Sequence, residues 1–257
     1  MLHFLHFNLE TAMSNFFQPQ QLSVVVPVRN EQDNVESLIA EIQAALQPVI
    51  QHEIIYIDDG STDDTYAKLK ALQRQYSQLR IVRHAKSCGQ STAVRTGVKF
   101  AKFDWIATLD GDGQNNPADI PKLLSALTEG VELVGGNRRQ SRRDTWIKRV
   151  SSVIANTVRA NLLKDDTPDT GCGLKLFSRA AFLDLPYFDH MHRFLPALIK
   201  RRGGKVVSVH VGHRNREHGK SNYGTLDRLM VGIVDLFGVA WLQRRAKIPQ
   251  VIEDKVV

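Results

Sequence analysis

The chain has 257 residues, 42% of them hydrophobic and 24% charged, the balance of a soluble globular protein with enough length to bury a full core. No apolar run approaches the roughly 20 residues needed to cross a bilayer, and two cysteines, Cys88 and Cys172, make no disulfide framework and point to a reducing compartment. A net charge of +7 favours an anionic partner: nucleic acid, a membrane face or a phosphorylated substrate.

Residues 1–20 read as an extension. MLHFLHFNLETAMSNFF lacks the positive region of a signal peptide and contains Glu10, and Met13 is an alternative start. Leu22–Val26 is a continuous apolar, β-branched run, the pattern of a buried parallel strand, which Pro27 is expected to end. After RNEQDN, the residues Val35, Leu38, Ile39, Ile42 and Leu46 follow helical spacing. Ile54–Ile57 is a second strand ending in Asp58-Asp59-Gly60-Ser61-Thr62-Asp63, followed by a helix with Leu69 and Leu72. Asp58, Asp63 and Asp64 fit helix capping, which leaves Asp59 as the candidate ligand. Leu79–Val82 is a third strand, followed by a loop with Lys86 and Gly89-Gln90 and a helix through Phe100.

The fourth strand, Trp105–Leu109, ends in Asp110-Gly111-Asp112-Gly113-Gln114, and Pro117 starts a helix carrying Leu123, Leu124 and Leu127. In an α/β protein the carboxyl end of a strand is where ligands bind. Two carboxylates one residue apart there, with glycines that let the backbone approach, suit a hard divalent cation, which completes its shell with waters and phosphate oxygens. Asp110 and Asp112, supported by Gln114, are therefore candidate ligands. Val131–Val134 is a fifth strand. Strands alternating with helices predict a doubly wound α/β sheet, and polar clusters at the ends of strands one (Arg29, Glu31), two and four predict a nucleotide crevice. Neither GxGxxG nor GxxxxGK[ST] occurs at the phosphate-binding positions of a dinucleotide fold or a P-loop.

The second half is more basic. Asn137-Arg138-Arg139-Gln140-Ser141-Arg142-Arg143 precedes a helix with Lys148 and Arg149; without interleaved aromatics, this stretch does not read as a single-stranded nucleic-acid site. Asp169-Thr170-Gly171-Cys172-Gly173 leads into Leu174–Phe177, His192-Arg193 opens another helix, and Val206–Val211 is a late strand. Cys172 reads as a small buried side chain, and His192 with Arg193 as a helix start or a functional pair. Leu226–Leu242 is amphipathic, with Arg228, Arg244, Arg245 and Lys247 at its flanks; it suits either core packing or a bilayer interface.

In this order, VVVPVRNE, IDDGSTDDT, LDGDGQNNP, DTGCGLK, HRFLPAL and the HxxRxxGxSNY spacing of His213–Tyr223 resemble the family 2 glycosyltransferases of the GT-A fold. More narrowly, the chain is similar to the branch that moves a sugar from a nucleotide diphosphate onto a polyprenyl phosphate: the dolichol-phosphate mannosyltransferases and bacterial undecaprenyl-phosphate transferases. The likeness spans Leu22 to Tyr223 and implies a GT-A domain over residues 21–225, a mostly parallel mixed sheet, and a C-terminal interface segment over 226–257.

The resemblance also implies roles. Pro27, Arg29 and Glu31 would line the nucleoside pocket, Asp59 would bind base or ribose, and Lys86 and Gln90 would border the nucleotide. Asp110, Asp112 and Gln114 would hold Mg²⁺ or Mn²⁺. Arg216 would reach the donor diphosphate with Asn222 beside it, and Arg138 and Arg149 would meet the acceptor phosphate. Dolichol mannosyltransferases usually carry Lys where Asn222 stands, which favours a UDP-sugar over GDP-mannose. The reaction would be an inverting transfer at the cytoplasmic membrane face, with peripheral or partner-assisted attachment, a membrane-protein partner or a homo-oligomer as the protein contacts, and no nucleic acid. A phosphate acceptor is already anionic and needs no general base, whereas a hydroxyl acceptor would need one, with Asp169 the candidate base or sugar-positioning group. A family 2 enzyme with a hydroxyl acceptor and a non-catalytic nucleotide-sugar or nucleic-acid binding module are the alternatives.

Overall fold

The computed structural model describes residues 19–138, 159–160, 162–215 and 225–248. Seven strands form one mixed sheet in the order β3-β2-β1-β4-β6-β5-β7. They are β1 (Gln21–Val28), β2 (Gln51–Asp58), β3 (Leu79–Arg83), β4 (Trp105–Thr108), β5 (Val131–Asn137), β6 (Lys175–Ser178) and β7 (Lys205–His210). β1, β2, β3 and β4 are mutually parallel, as are β5 and β7, and β6 alone runs antiparallel to both its neighbours, β4 and β5. The carboxyl ends of all the strands but β6 therefore lie on one edge, where β6 begins. That edge is where an open α/β sheet leaves a crevice.

Seven helices accompany the sheet among the described residues: α1 (Val35–Leu46), α2 (Thr65–Leu72), α3 (Gln90–Phe100), α4 (Ile120–Ser125), α5 (Arg179–Leu183), α6 (Leu195–Arg201) and α7 (Thr225–Arg244). The strands are apolar on both sides because both sheet faces are covered. Val24, Val26, Ile54 and Tyr56 pack with Leu38, Ile39, Ile42, Leu69 and Leu123 on the α1–α2–α4 face. Val25, Ile55, Ile57, Ile106 and Phe177 pack with Val94, Val98, Phe182 and Leu198 on the other. All five apolar residues expected on α1 are buried.

Several boundaries differ from the sequence-based expectation. β1 runs through Pro27 to Val28, with Pro27 opposite Ile57 of β2. Pairing with β4 stops at Val25–Thr108, so the N–H that proline lacks is not missed on that side. The helix expected at Pro117 begins as a 3₁₀ turn over Pro117–Asp119, with the Asn116 carboxamide accepting from Ala118 N, before α4.

The last helix, α7, packs on the protein through Val239 and Ala240, and its Asp235 accepts from or pairs with His190 Nδ1 at 3.0 Å. Its other side exposes Val234, Phe237 and Trp241, at 68%, 63% and 57% of full accessibility. The helix is thus apolar both inward and outward. No helix among the described residues is long and apolar enough to cross a membrane.

Candidate active site

The crevice is built from loops that hold one another. After β1, Asn30 N donates to Ser61 Oγ at 3.0 Å, Glu31 N to Thr65 Oγ1 at 2.9 Å, and Thr62 N to Asn30 Oδ1 at 2.8 Å. These bonds lock the VRNE loop onto the DDGST loop. Asp58 accepts from Ser61 N, and Asp63 from Thr65 N, so both serve the turn into α2; Asp64, at the cap position, makes no capping bond with its side chain. Pro27 is half-buried, Arg29 is exposed on the rim, and Glu31 accepts from Asn34 Nδ2 at 2.6 Å.

Asp59 is more engaged than the sequence implied. Oδ1 accepts from His84 Nδ1 (2.7 Å) and Cys88 N (2.8 Å), and Oδ2 from Ser87 Oγ (2.8 Å) and Gly89 N (3.0 Å). Burial pulls its pKa upward, but these four donors outweigh burial and hold it below the usual carboxylate value. The expected direct bond to base or ribose competes with these donors; what Asp59 does here is set the β3–α3 loop, which carries exposed Lys86.

That loop delivers Gln90, the first residue of α3, whose Nε2 donates to Asp110 Oδ1 at 2.7 Å. Asp110 N donates to Asn115 Oδ1 at 3.1 Å and Gln114 N to Asp112 Oδ1 at 3.1 Å, so the DGDGQN segment folds around its own carboxylates. Burial and then the neighbouring Asp112 charge raise the Asp110 pKa, while Lys175 and Arg138 oppose them. A half-buried carboxylate next to a second carboxylate is a local excess of negative charge. The donor set, two carboxylates and an amide, is all oxygen, which fits Mg²⁺ or Mn²⁺.

Lys175, at the start of β6, is buried at 4% accessibility and donates Nζ to the Cys172 carbonyl. Burial lowers its pKa, opposed by Cys172 and Asp110. Sequence reading passed over this residue, although a lone lysine between Leu174 and Leu176 in a strand is itself a signal, since a buried lysine needs an anionic neighbour.

Arg138 and Asp169 form a two-pronged pair. Nε donates to Oδ2 at 2.8 Å and Nη2 to Oδ1 at 3.0 Å, and Arg138 N also donates to Oδ2 at 3.1 Å. Burial would raise the Asp169 pKa, but the Arg138 hydrogen bonds and charge overcome it and leave the group below its usual value. A base needs a proton affinity near the working pH, so this environment runs against Asp169 as a general base. The same fork commits two donors of Arg138 inside the protein rather than to an acceptor.

Val211–Arg214 is tied to the DxDxQ loop. Gly212 N donates to Asp119 Oδ2 (2.7 Å), Arg214 N to the Gln114 carbonyl (3.0 Å), Arg214 Nη2 to Asn116 Oδ1 (2.7 Å) and Arg214 Nη1 to Glu41 Oε2 (2.6 Å). The HxxRxxGxSNY motif thus starts beside Gln114. Its Arg216 and Asn222, and Arg149 of the basic stretch, lie outside the described residues. On the α3 side, Ser91 Oγ and His192 Nδ1 lie 2.7 Å apart, and burial, followed by the charges of Lys175, Arg193 and His190, pushes the His192 pKa down to about 3.

A model of glycosyl transferase family 2 matches residues 23–185, which takes in β1 to β6 and the carboxylate edge. The chain belongs to glycosyl transferase family 2. This family 2 chain is 34% identical over 216 residues to an undecaprenyl-phosphate 4-deoxy-4-formamido-L-arabinose transferase of Edwardsiella ictaluri, covering 83% of this chain and 66% of that protein. It is also 34% identical over 235 residues to the dodecaprenyl-phosphate galacturonate synthase of Rhizobium johnstonii, covering 88% and 68%. The chain thus spans about two thirds of the length of these relatives. In fold it is similar to glucosyl-3-phosphoglycerate synthase of Mycobacterium tuberculosis. The structure of that enzyme with Mg²⁺ and UDP superposes with a TM-score of 0.67 at 22% identity, over 93% of this chain and 84% of that one. The complex with Mn²⁺, UDP and glucosyl-3-phosphoglycerate gives 0.65 at 23% identity, over 90% and 81%.

Proposed function

We propose that this chain transfers a sugar, with inversion, from a nucleotide-diphosphate donor, a UDP-sugar in preference to GDP-mannose, to a polyprenyl phosphate at the cytoplasmic face of the membrane. The observation that carries the acceptor is the Arg138–Asp169 pair. A sugar or lipid hydroxyl must lose a proton as it attacks, and Asp169, the candidate base, has its proton affinity lowered by a two-pronged arginine. A phosphate oxygen attacks without that help. Relatives named as polyprenyl-phosphate transferases at 34% identity support the same reading.

In this reading the nucleoside sits across the ends of β1 and β2, among Pro27, Arg29, Glu31 and the loop fixed by Asp59. The diphosphate reaches Asp110, Asp112 and Gln114, which would hold Mg²⁺ or Mn²⁺; the ion would neutralise charge gathering on the departing diphosphate. Gln90 orients the Asp110 carboxylate, and the Lys175 charge opposes the rise of its pKa. By the family resemblance, Arg216 and Asn222 would meet the donor diphosphate, and Arg149 would add positive charge for the acceptor phosphate. The exposed Val234, Phe237 and Trp241 of α7, followed by Arg244 and Arg245, support peripheral contact with an anionic bilayer.

The test is an acceptor competition. The protein is incubated with Mn²⁺, UDP- or GDP-sugars, and either undecaprenyl phosphate or undecaprenol in mixed micelles. The reading expects a lipid-linked sugar phosphodiester of inverted anomeric configuration from the phosphate alone. Transfer to the alcohol would move the hydroxyl-acceptor alternative to the front.

A further inference from the structure

We propose that Asp59, His84 and Cys88 form a second cation site, for a thiophilic divalent ion of the Zn²⁺ class, separate from the Asp110–Asp112 pair. A carboxylate oxygen, an imidazole nitrogen and the sulfur of these three residues all lie within 4.8 Å of one another. His84 is held from both sides, with Nδ1 2.7 Å from Asp59 Oδ1 and Nε2 3.0 Å from Thr96 Oγ1. Neutral His84 donates Nδ1–H to Asp59 and accepts from the Thr96 hydroxyl at Nε2; in its other tautomer Nε2–H donates to Thr96, and the Nδ1 lone pair then faces Asp59 Oδ1 at a spacing that a cation can bridge. Cys88 Sγ adds a soft ligand, now only in weak contact with the Lys86 carbonyl at 3.3 Å, and its exposure gives an ion a way in.

The ligand chemistry selects the ion. Thiolate, imidazole and one carboxylate favour Zn²⁺ over Mg²⁺, whereas the all-oxygen Asp110–Asp112 set favours the reverse. Tetrahedral ligands at Zn–N and Zn–O near 2.0 Å sit about 3.3 Å apart, so Asp59 and His84 need separate by only about 0.6 Å. Binding releases the Cys88 thiol proton to solvent and moves the His84 ring proton from Nδ1 to Nε2, where the Thr96 hydroxyl accepts it. Water fills the fourth position. Ser87 Oγ and Gly89 N keep their bonds to Asp59 Oδ2, while Cys88 N loses Oδ1 to the ion. Occupancy therefore redraws the loop that leads to Gln90 and gives a soft metal leverage over the crevice.

The experiment is titration of the full chain with Co²⁺, read by the near-ultraviolet sulfur-to-cobalt charge-transfer band, which does not depend on transferase activity. We expect the band to saturate at one equivalent, to persist in Asp112→Ala, to resist a large excess of Mg²⁺ and to be displaced by Zn²⁺. It should vanish in Cys88→Ser, whose exposed side chain does not bear on folding, and its affinity should fall at least tenfold in His84→Gln. No band, a band that survives Cys88→Ser, or one lost in Asp112→Ala would overturn the site.

Discussion

Gly173 and Asp110 share one space. A Cβ on Gly173 would overlap the Asp110 carboxylate and lie 2.6 Å even from Oδ1, so the loop before β6 forms the wall against which this carboxylate is set. Gly111 plays the matching part on the other side, where a Cβ would overlap Val28 and come within 3.0 Å of the Pro27 carbonyl. Gly173→Ala should therefore leave the fold intact at a cost of about 1–3 kcal/mol while displacing the carboxylate. Metal-dependent nucleotide affinity should fall by more than tenfold, measured by calorimetry beside a thermal melt. Unchanged affinity would mean that Asp110 does not hold the ion.

The Arg138–Asp169 pair should behave as a buried ion pair. Removing one partner in Asp169→Ala takes a charged two-pronged fork from a guanidinium that is 9% accessible and should cost about 3–5 kcal/mol, read from urea midpoints. Because the folded-state pKa of Asp169 is depressed, its contribution is complete above the ordinary carboxylate value near 3.9 and is lost as pH falls through the folded value. The variant should accordingly lose less further stability than the wild type on acidification below about pH 4.

His192 gives a pH dependence in a different window. Its pKa falls from 6.5 to about 3 on folding, so below 6.5 the unfolded chain takes up a proton that the folded chain refuses. Stability should decline as pH drops from 6.5 toward 3. His192→Gln keeps a hydrogen-bonding group for Ser91 and should flatten that decline in unfolding measurements at pH 7.5, 6.5 and 5.5. An equal slope in both proteins would show that His192 is free to charge.

Much of the edge was legible because it is local. Apolar runs ending at Val26, Ile57 and Leu109 announce buried strands, and the polar residues after them announce the crevice. What escaped was partnership across distance. Gln90 reads as a residue bordering the nucleotide, and only the fold shows that it grips Asp110, 20 positions on. Arg138 reads as an acceptor-phosphate residue and Asp169 as a candidate base, and no pattern says that they face each other across 31 residues. The antiparallel insertion of β6 between β4 and β5 has no local signature either, yet it is what carries Gly173 and Lys175 to the site. Pro27 reads as a strand end because proline lacks the N–H of a sheet ladder, and only the fold shows that β4 stops short beside it.

The outward side of α7 is the remaining expectation open to direct attack. Phe237→Glu and Trp241→Glu alter side chains that are 63% and 57% accessible, so stability should change by no more than about 0.5 kcal/mol. Flotation with anionic phospholipid vesicles should drop severalfold in either variant. Undiminished flotation would remove α7 as the membrane contact.

The central claim is that the carboxylate edge holds a nucleoside diphosphate through a divalent cation, and calorimetric titration with UDP and GDP, with and without Mn²⁺, tests it most directly. Wild type should bind UDP more tightly than GDP and at least tenfold more tightly with Mn²⁺ than without, and Asp112→Ala should lose that metal dependence. Binding of neither nucleotide, or binding indifferent to Mn²⁺ in both proteins, would contradict the account.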